Sequence, residues 1–278
     1  MFHFCTTRNN ALAYLLWSWI FRKNGKITAQ LDTFYFGASR GINDYNELVA
    51  SYDKSSAKPD KLYSILPTVL NLAGDCTGMT AVDIGCGGGF FTVPLAQLGA
   101  AKVYGLDNSE GQIELAKKIS AHASVHYFLA DVFVDELPQA DLMVIPFVLN
   151  YARTVHVLSH FLNRIYRRLS AGGRAVFVID LPNRKQLQKF GAIKTFRGTP
   201  SDETQICIDL FNGDKKICTL TSVYFTPETI VRLLQSVGFR NICWHEPIVS
   251  DEGIRAMGPE FWEGYTADPE LGYLTAEK

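Results

Sequence analysis

Several things are scarce in this chain, and each scarcity excludes something. Cysteine occurs 6 times in 278 residues, scattered, with no C-x-x-C pair. That pattern implies neither a zinc site nor a disulfide framework and suits a reducing compartment. Charge of one sign is missing too: the formal net charge is −1, which argues against a nucleic-acid machine working by bulk electrostatics. Lys and Arg do gather between Arg164 and Arg197, a pattern that reads as a solvated helix face and loop rather than as an anion-attracting rim. There is no internal repeat or low-complexity tract. The longest apolar run, Ala11 to Phe21, falls short of the about 20 residues a spanning helix needs. It has basic flanks but no small-x-small cleavage site after it. Residues 1–44 therefore read as an N-terminal extension of unclear role. Packing on the core, contact with a membrane surface near Trp17 and Trp19, and a mis-assigned start or targeting segment all stay open.

What is present centres on Val82-Asp83-Ile84-Gly85-Cys86-Gly87-Gly88-Gly89-Phe90. An apolar lead-in precedes it and a short helical stretch ending at Gly99 follows. Strand, glycine-rich turn and helix open a doubly wound α/β fold. Residues without a Cβ let the backbone turn sharply and approach a ligand, and the amides opening the next helix face that ligand with partial positive charge. An acid inside the strand end, Asp83, would repel a pyrophosphate. It suits a ligand carrying an amine and a sulfonium.

Asp83-x-Gly85-x-Gly87-x-Gly89 resembles the first motif of class I S-adenosylmethionine-dependent methyltransferases, and later segments extend the likeness over roughly residues 42–265. Lys102 to Asp107 is a second strand ending in an acid, at about the spacing of 20 residues expected for a ribose-binding carboxylate; a plain N-cap for the next helix is the alternative. Asn108 would lie at the adenine or ribose edge. The resemblance implies that Asp131 accepts from the adenine amine, with the Val132 amide meeting a ring nitrogen. Asp141 to Phe147 is a fourth strand, apolar enough to be buried on both faces, and Pro146 at its end is counted with the cofactor site. Asn150 and Tyr151 follow and are expected to face the acceptor, or else to cap the helix from Thr154. Ser170-Ala171-Gly172-Gly173 before the fifth strand is another likeness. The segment from Ile42 to Asp53 resembles the lead-in helix of small-molecule members, so Tyr45 and Tyr52 are expected to close over the cofactor or to pack as core aromatics.

Leu181 to Pro200 reads as polar and irregular. Strands then flank Asn212-Gly213-Asp214, a hairpin turn signal. A hairpin inserted here is where the family builds its substrate cap. Thr226-Pro227 begins a helix that Gly238 stops, and Phe239 to His245 is expected to be the last strand, antiparallel to the others. Asn150-Tyr151-Ala152-Arg153 and the tail resemble the toxoflavin-synthase-like subgroup, which implies a heterocyclic or aromatic acceptor. Trp244, Phe261, Trp262 and Tyr265 would stack on it or pin the tail.

The fold expected is a doubly wound Rossmann-like seven-stranded sheet with an antiparallel last strand and an inserted β-hairpin cap, in one domain over residues 45–278 with the insertion at about 182–220. The function expected is methyl transfer from S-adenosylmethionine to N or O of a small molecule, without metal. The expectation includes neither a nucleic-acid partner nor stable membrane insertion, and places a monomer or homodimer in the cytoplasm. No residue is compelled to be a base; His245 is the candidate, while His156 and His160 read as surface groups. A nicotinamide-dependent oxidoreductase and a non-catalytic cofactor-binding partner are the alternatives.

Overall fold

The computed structural model describes residue 45 and residues 57–182 and 188–278. Expectations for residues 1–44, for the lead-in helix and for Tyr52 lie outside the described residues. A seven-stranded sheet carries the core, in the order β3-β2-β1-β4-β5-β10-β9. Its parallel part is β1 (Thr80–Ile84), β2 (Lys102–Asp107), β3 (Val125–Leu129), β4 (Ala140–Pro146) and β5 (Leu169–Asp180). The helices are α1 (Leu66–Ala73), α2 (Thr92–Gln97), α3 (Glu110–Ile119), α4 (Val155–Arg168), α5 (Pro227–Val237) and α6 (Asp251–Met257).

Alternation along the central strands decides which helix covers which face. Leu142, Val144, Val176 and Val178 pack with Val69 of α1 and Leu95 of α2. Their neighbours Met143, Ile145, Phe177 and Ile179 pack with Leu158, Phe161 and Leu162 of α4 and Leu233 and Leu234 of α5. Each such fully buried side chain contributes on the order of 1.5–3 kcal/mol, so the sheet centre carries much of the stabilising burial. The helix starts follow their side chains: the hydroxyls of Thr154 and Thr226 accept from Val157 and Thr229 amides. Gly238, at φ 110°, ends α5 in the left-handed conformation. Pro67 falls in the first turn of α1, directly after a π-helical turn over Lys61–Ile65.

Two expectations need correction. The antiparallel strand is not Phe239 to His245. That segment forms β9 (Arg240–His245) at the sheet edge, antiparallel to β10 (Leu271–Glu277). β10 runs antiparallel to β5 and lies between β5 and β9. The reason is burial: β9 is largely exposed, whereas β10 is buried almost throughout and takes the interior slot. Likewise, residues 192–196 are not irregular. Ala192–Phe196 forms β6, which pairs with β7 (Thr204–Asn212), and β7 pairs with β8 (Lys215–Tyr224). The insertion is thus a separate three-stranded antiparallel sheet built on the expected hairpin, cored by Ile206, Ile208, Leu220 and Tyr224. Among the described residues no helix is long and apolar enough to cross a membrane.

Candidate active site

The strand order reverses direction between β1 and β4, and ligands of open α/β sheets collect beyond the carboxyl ends at that point. A crevice opens there, lined by Lys61, residues 85–88, Phe90, Phe91, Gln112, Pro146 and Phe147. The glycines make it possible. A Cβ on Gly85 would stand 2.6 Å from Val148 Cγ2, and the residue has φ 71°. Gly87 has φ 52°, and a Cβ there would stand 3.7 Å from Gln112 Oε1, in ordinary contact.

Asp83 lies behind the loop, fully buried, and is not part of the crevice lining. Its Oδ2 accepts from the Thr92 hydroxyl at 2.6 Å, and its Oδ1 has no partner among the described residues. Burial pushes the carboxyl up to about 7; the nearby Asp107 charge adds to this, and the Thr92 bond opposes it. The sign of the linkage is then fixed. Between the ordinary carboxylate range and about pH 7 the folded chain holds a proton that the unfolded chain has lost, so this group makes stability fall as pH rises. Asp83→Asn is expected to flatten that slope by roughly 1.4 kcal/mol per pH unit in the middle of the window. Urea unfolding at half-unit steps from pH 5 to 8 measures it, and parallel curves for the two proteins would count against the raised value.

Asp107 does not line the crevice itself but is bonded to the glycine loop that does. Its Oδ2 accepts from the Gly87 amide and its Oδ1 from the Ser109 amide, each at 2.9 Å. Burial raises this carboxyl as well, against the pull of those amides. The arrangement joins strand β2 to the glycine loop through one side chain. Asn108 beside it is exposed.

Gln112 was missed in the sequence, although Ser109-Glu110-Gly111-Gln112 carries the spacing of a capping box. Half of the box forms: the Ser109 hydroxyl accepts from the Gln112 amide at 3.2 Å. In the full motif the glutamine would reach back to the Ser109 amide. That amide already belongs to Asp107. Gln112 instead lines the crevice, 2% exposed, with Nε2 lacking an acceptor among the described residues. A buried donor without a partner costs about 1–3 kcal/mol, so the side chain suits a ligand oxygen or nitrogen.

Phe147 was missed as well. It has φ 62°, a conformation that costs a non-glycine residue on the order of 1–2 kcal/mol. Its amide donates to Val178 O at 2.8 Å, which fixes the exit of β4 against β5. With Pro146, Phe90 and Phe91 it gives the crevice an apolar wall, and Lys61 Nζ lies 5.1 Å from the Phe90 ring centroid.

Other expected residues are placed as follows. Asp131 leaves β3 and accepts from the Phe133 amide at 3.0 Å, while Val132 is buried in the core. Asn150, 5% exposed, donates through Nδ2 to Asp180 Oδ2 at 2.9 Å. Tyr151 meets Tyr45, hydroxyl to hydroxyl, with the rings edge to face. His245 lies on the edge strand β9, its Nε2 2.8 Å from Thr275 Oγ1, and β5 and β10 separate that strand from β4. The structure does not bring His245 to the crevice lining. His156 and His160 are exposed and pair with each other on α4. Trp262 and Tyr265 are buried against Phe190, with Phe261 packed on them, so these tail aromatics hold one another; Trp244 is exposed.

Residues 81–173 match the family model described as a methyltransferase domain. A Haemophilus influenzae protein is 30% identical over 152 residues, 51% of this chain and 58% of that protein. The ubiquinone biosynthesis O-methyltransferase of Mesorhizobium japonicum is 50% identical over 89 residues, 32% of this chain and 33% of that protein. The chain spans about half the length of the curated relatives it matches first, 58% and 41%. Among solved structures, an S-adenosylmethionine-dependent methyltransferase from Mesorhizobium loti superposes with a TM-score of 0.58 at 22% identity, over 81% of this chain and 100% of that one. The chain has the Rossmann-like methyltransferase fold.

Proposed function

We propose that the chain transfers a methyl group from S-adenosylmethionine to a nitrogen or oxygen of a small heterocyclic or aromatic acceptor, in the manner of the toxoflavin-synthase-like subgroup. The observation that carries the reading is Asp107: a carboxyl bonded to the Gly87 amide of the loop that lines the crevice, a position suited to a ribose. The lining fits the same donor. Asp107 has lone pairs left to accept from ribose hydroxyls. Gln112 Nε2 supplies a donor in want of an acceptor. Lys61 brings positive charge suited to the carboxylate of the methionine portion, and the aromatic wall suits an uncharged base and a soft sulfonium. Bound there, the donor would supply an already activated methyl group, to be exchanged for a proton of the acceptor. The work left to the chain is alignment and exclusion of water. Tyr45 and Tyr151, closing on each other beside the cap sheet, serve the second task.

A nicotinamide cofactor is the competing reading, because fold does not fix function. The antiparallel strand β10 between β5 and β9 opposes it, since the dinucleotide-binding fold runs strands in the parallel order 3-2-1-4-5-6. Calorimetric titration with S-adenosylhomocysteine and with NADH separates the two. Binding of the first and not the second is expected, and the reverse would overturn the proposal.

A further inference from the structure

Beyond β4 and β5 the chain builds a set of buried ionic groups that cofactor binding does not use. Asp180 ends β5 next to Leu271 of β10, two residues past Val178, whose carbonyl holds the Phe147 amide. One oxygen of Asp180 accepts from Asn150; the other lies 2.9 Å from Lys194 Nζ on β6 of the cap sheet. Lys194 also donates to the carbonyls of Glu270 and Leu181, and lies 4.0 Å from Glu270 Oε2. Alongside, Lys58 pairs with Asp60 at 3.4 Å and donates to Gly191 O at 3.1 Å. All of these side chains are buried.

Two consequences follow. The first concerns orientation. An aspartate only accepts, so Asn150 must turn its NH2 toward Asp180. Its carbonyl oxygen is then the end left over, and among the described residues the Asn150 side chain makes no hydrogen bond other than the one to Asp180. Asn150 stands in the turn Leu149–Tyr151, directly after the crevice wall of Pro146 and Phe147, with Val148 over Gly85 and β8 of the cap packed against the turn. The second concerns charge. The carboxyls of Asp60, Asp180 and Glu270 face the ammonium groups of Lys58 and Lys194, and Lys61 also acts on Asp60, so the described acids and cations are matched. Lys61, the other cation at hand, lines the cofactor crevice. Burial drives Glu270 up to about 7 and raises Asp60, against the pull of the neighbouring lysines.

We infer that the methyl acceptor is a neutral molecule without a carboxylate, that it presents an N–H or O–H to the carbonyl oxygen of Asn150, and that Asp180, held by Lys194, is the positioning residue that decides which way Asn150 points. The inference rests on the reading that methyl transfer takes place at this crevice. An acidic acceptor would add a further anion beside a seam whose cations, among the described residues, are already matched by carboxyls. An acceptor without a donor hydrogen would leave the Asn150 oxygen desolvated and unpaired.

The test uses three small aromatics against the full chain saturated with S-adenosylhomocysteine: catechol, 3,4-dihydroxybenzoate, and 1,2-dimethoxybenzene, in which both donors are capped. Calorimetry is expected to give catechol an affinity about tenfold or more above either of the others. Asn150→Leu should erase the preference for catechol over dimethoxybenzene. Asp180→Asn, which frees the Asn150 amide to turn over, should reduce it. Both variants should keep the S-adenosylhomocysteine affinity of the wild type. A role confined to folding would lower the melting temperature and leave the ratio of ligand affinities where it was. Equal binding of the benzoate, an undiminished preference in Asn150→Leu, or no binding of catechol overturns the inference. Loss of S-adenosylhomocysteine binding in the wild type would instead bring down the functional reading beneath it.

Discussion

Lys194→Ala is expected to remove about 3–5 kcal/mol of stability, the cost of leaving a buried charge without its partner. The Lys194 side chain is 2% exposed and that of Asp180 is 7% exposed, so water cannot take over when the ammonium is deleted. Asp180 would keep only the Asn150 amide, and the carbonyls of Glu270 and Leu181 would lose their donor in the same step. Those partners belong to the end of β5 and the approach to β10, whereas Lys194 belongs to the cap, so the loss should appear first as loosening of the cap sheet from the core. Urea unfolding gives the total, and hydrogen exchange of the β6 and β7 amides gives its location. Lys194→Met with Asp180→Leu should recover most of the loss, because a buried ion pair is often no better than apolar groups of the same volume. A single variant within about 1 kcal/mol of the wild type would show that the seam opens to solvent.

The same lysine shows why part of the fold was hidden in the sequence. The strands of the parallel sheet announce themselves through apolar runs such as Leu142-Met143-Val144-Ile145, because their burial is paid for locally by their own side chains. Ala192-Ile193-Lys194-Thr195-Phe196 does not, since the side chain at its centre is buried by partners 13 and 76 positions further along or back in the chain. A lysine in a polar stretch reads as solvated until those partners are known. β10 was hidden for a related reason. Leu271-Gly272-Tyr273-Leu274-Thr275-Ala276 is a modest strand by composition, and only the vacancy between β5 and the exposed β9 makes it an interior one. Along the crevice, the glycines and Pro146 were legible because each is demanded by one short segment. Gln112, Phe147 and the Asn150–Asp180 bond were not. Gln112 is turned into the crevice by a hydrogen bond that Asp107 takes away from it, Phe147 by a backbone conformation that no residue type announces, and Asn150 by an acid 30 positions later.

Asp107→Ala is expected to weaken S-adenosylhomocysteine by about 1.5–3 kcal/mol, or roughly ten- to over a hundredfold, the scale for hydrogen bonds to a charged group. Two mechanisms would produce that loss. In one, the carboxylate grips the ribose hydroxyls directly. In the other, it only braces the loop, since the Gly87 and Ser109 amides both lean on it. Titration calorimetry with 5′-methylthioadenosine and its 2′,3′-dideoxy counterpart tells them apart. If the sugar is gripped, the wild type prefers the hydroxylated ligand and Asp107→Ala loses the preference. If the loop is merely braced, both ligands weaken together and the preference survives. The first outcome is expected, because each oxygen of Asp107 accepts from one amide and keeps a further lone pair. Unchanged affinity in Asp107→Ala would take this residue out of the site altogether, and with it the observation on which the methyltransferase reading stands.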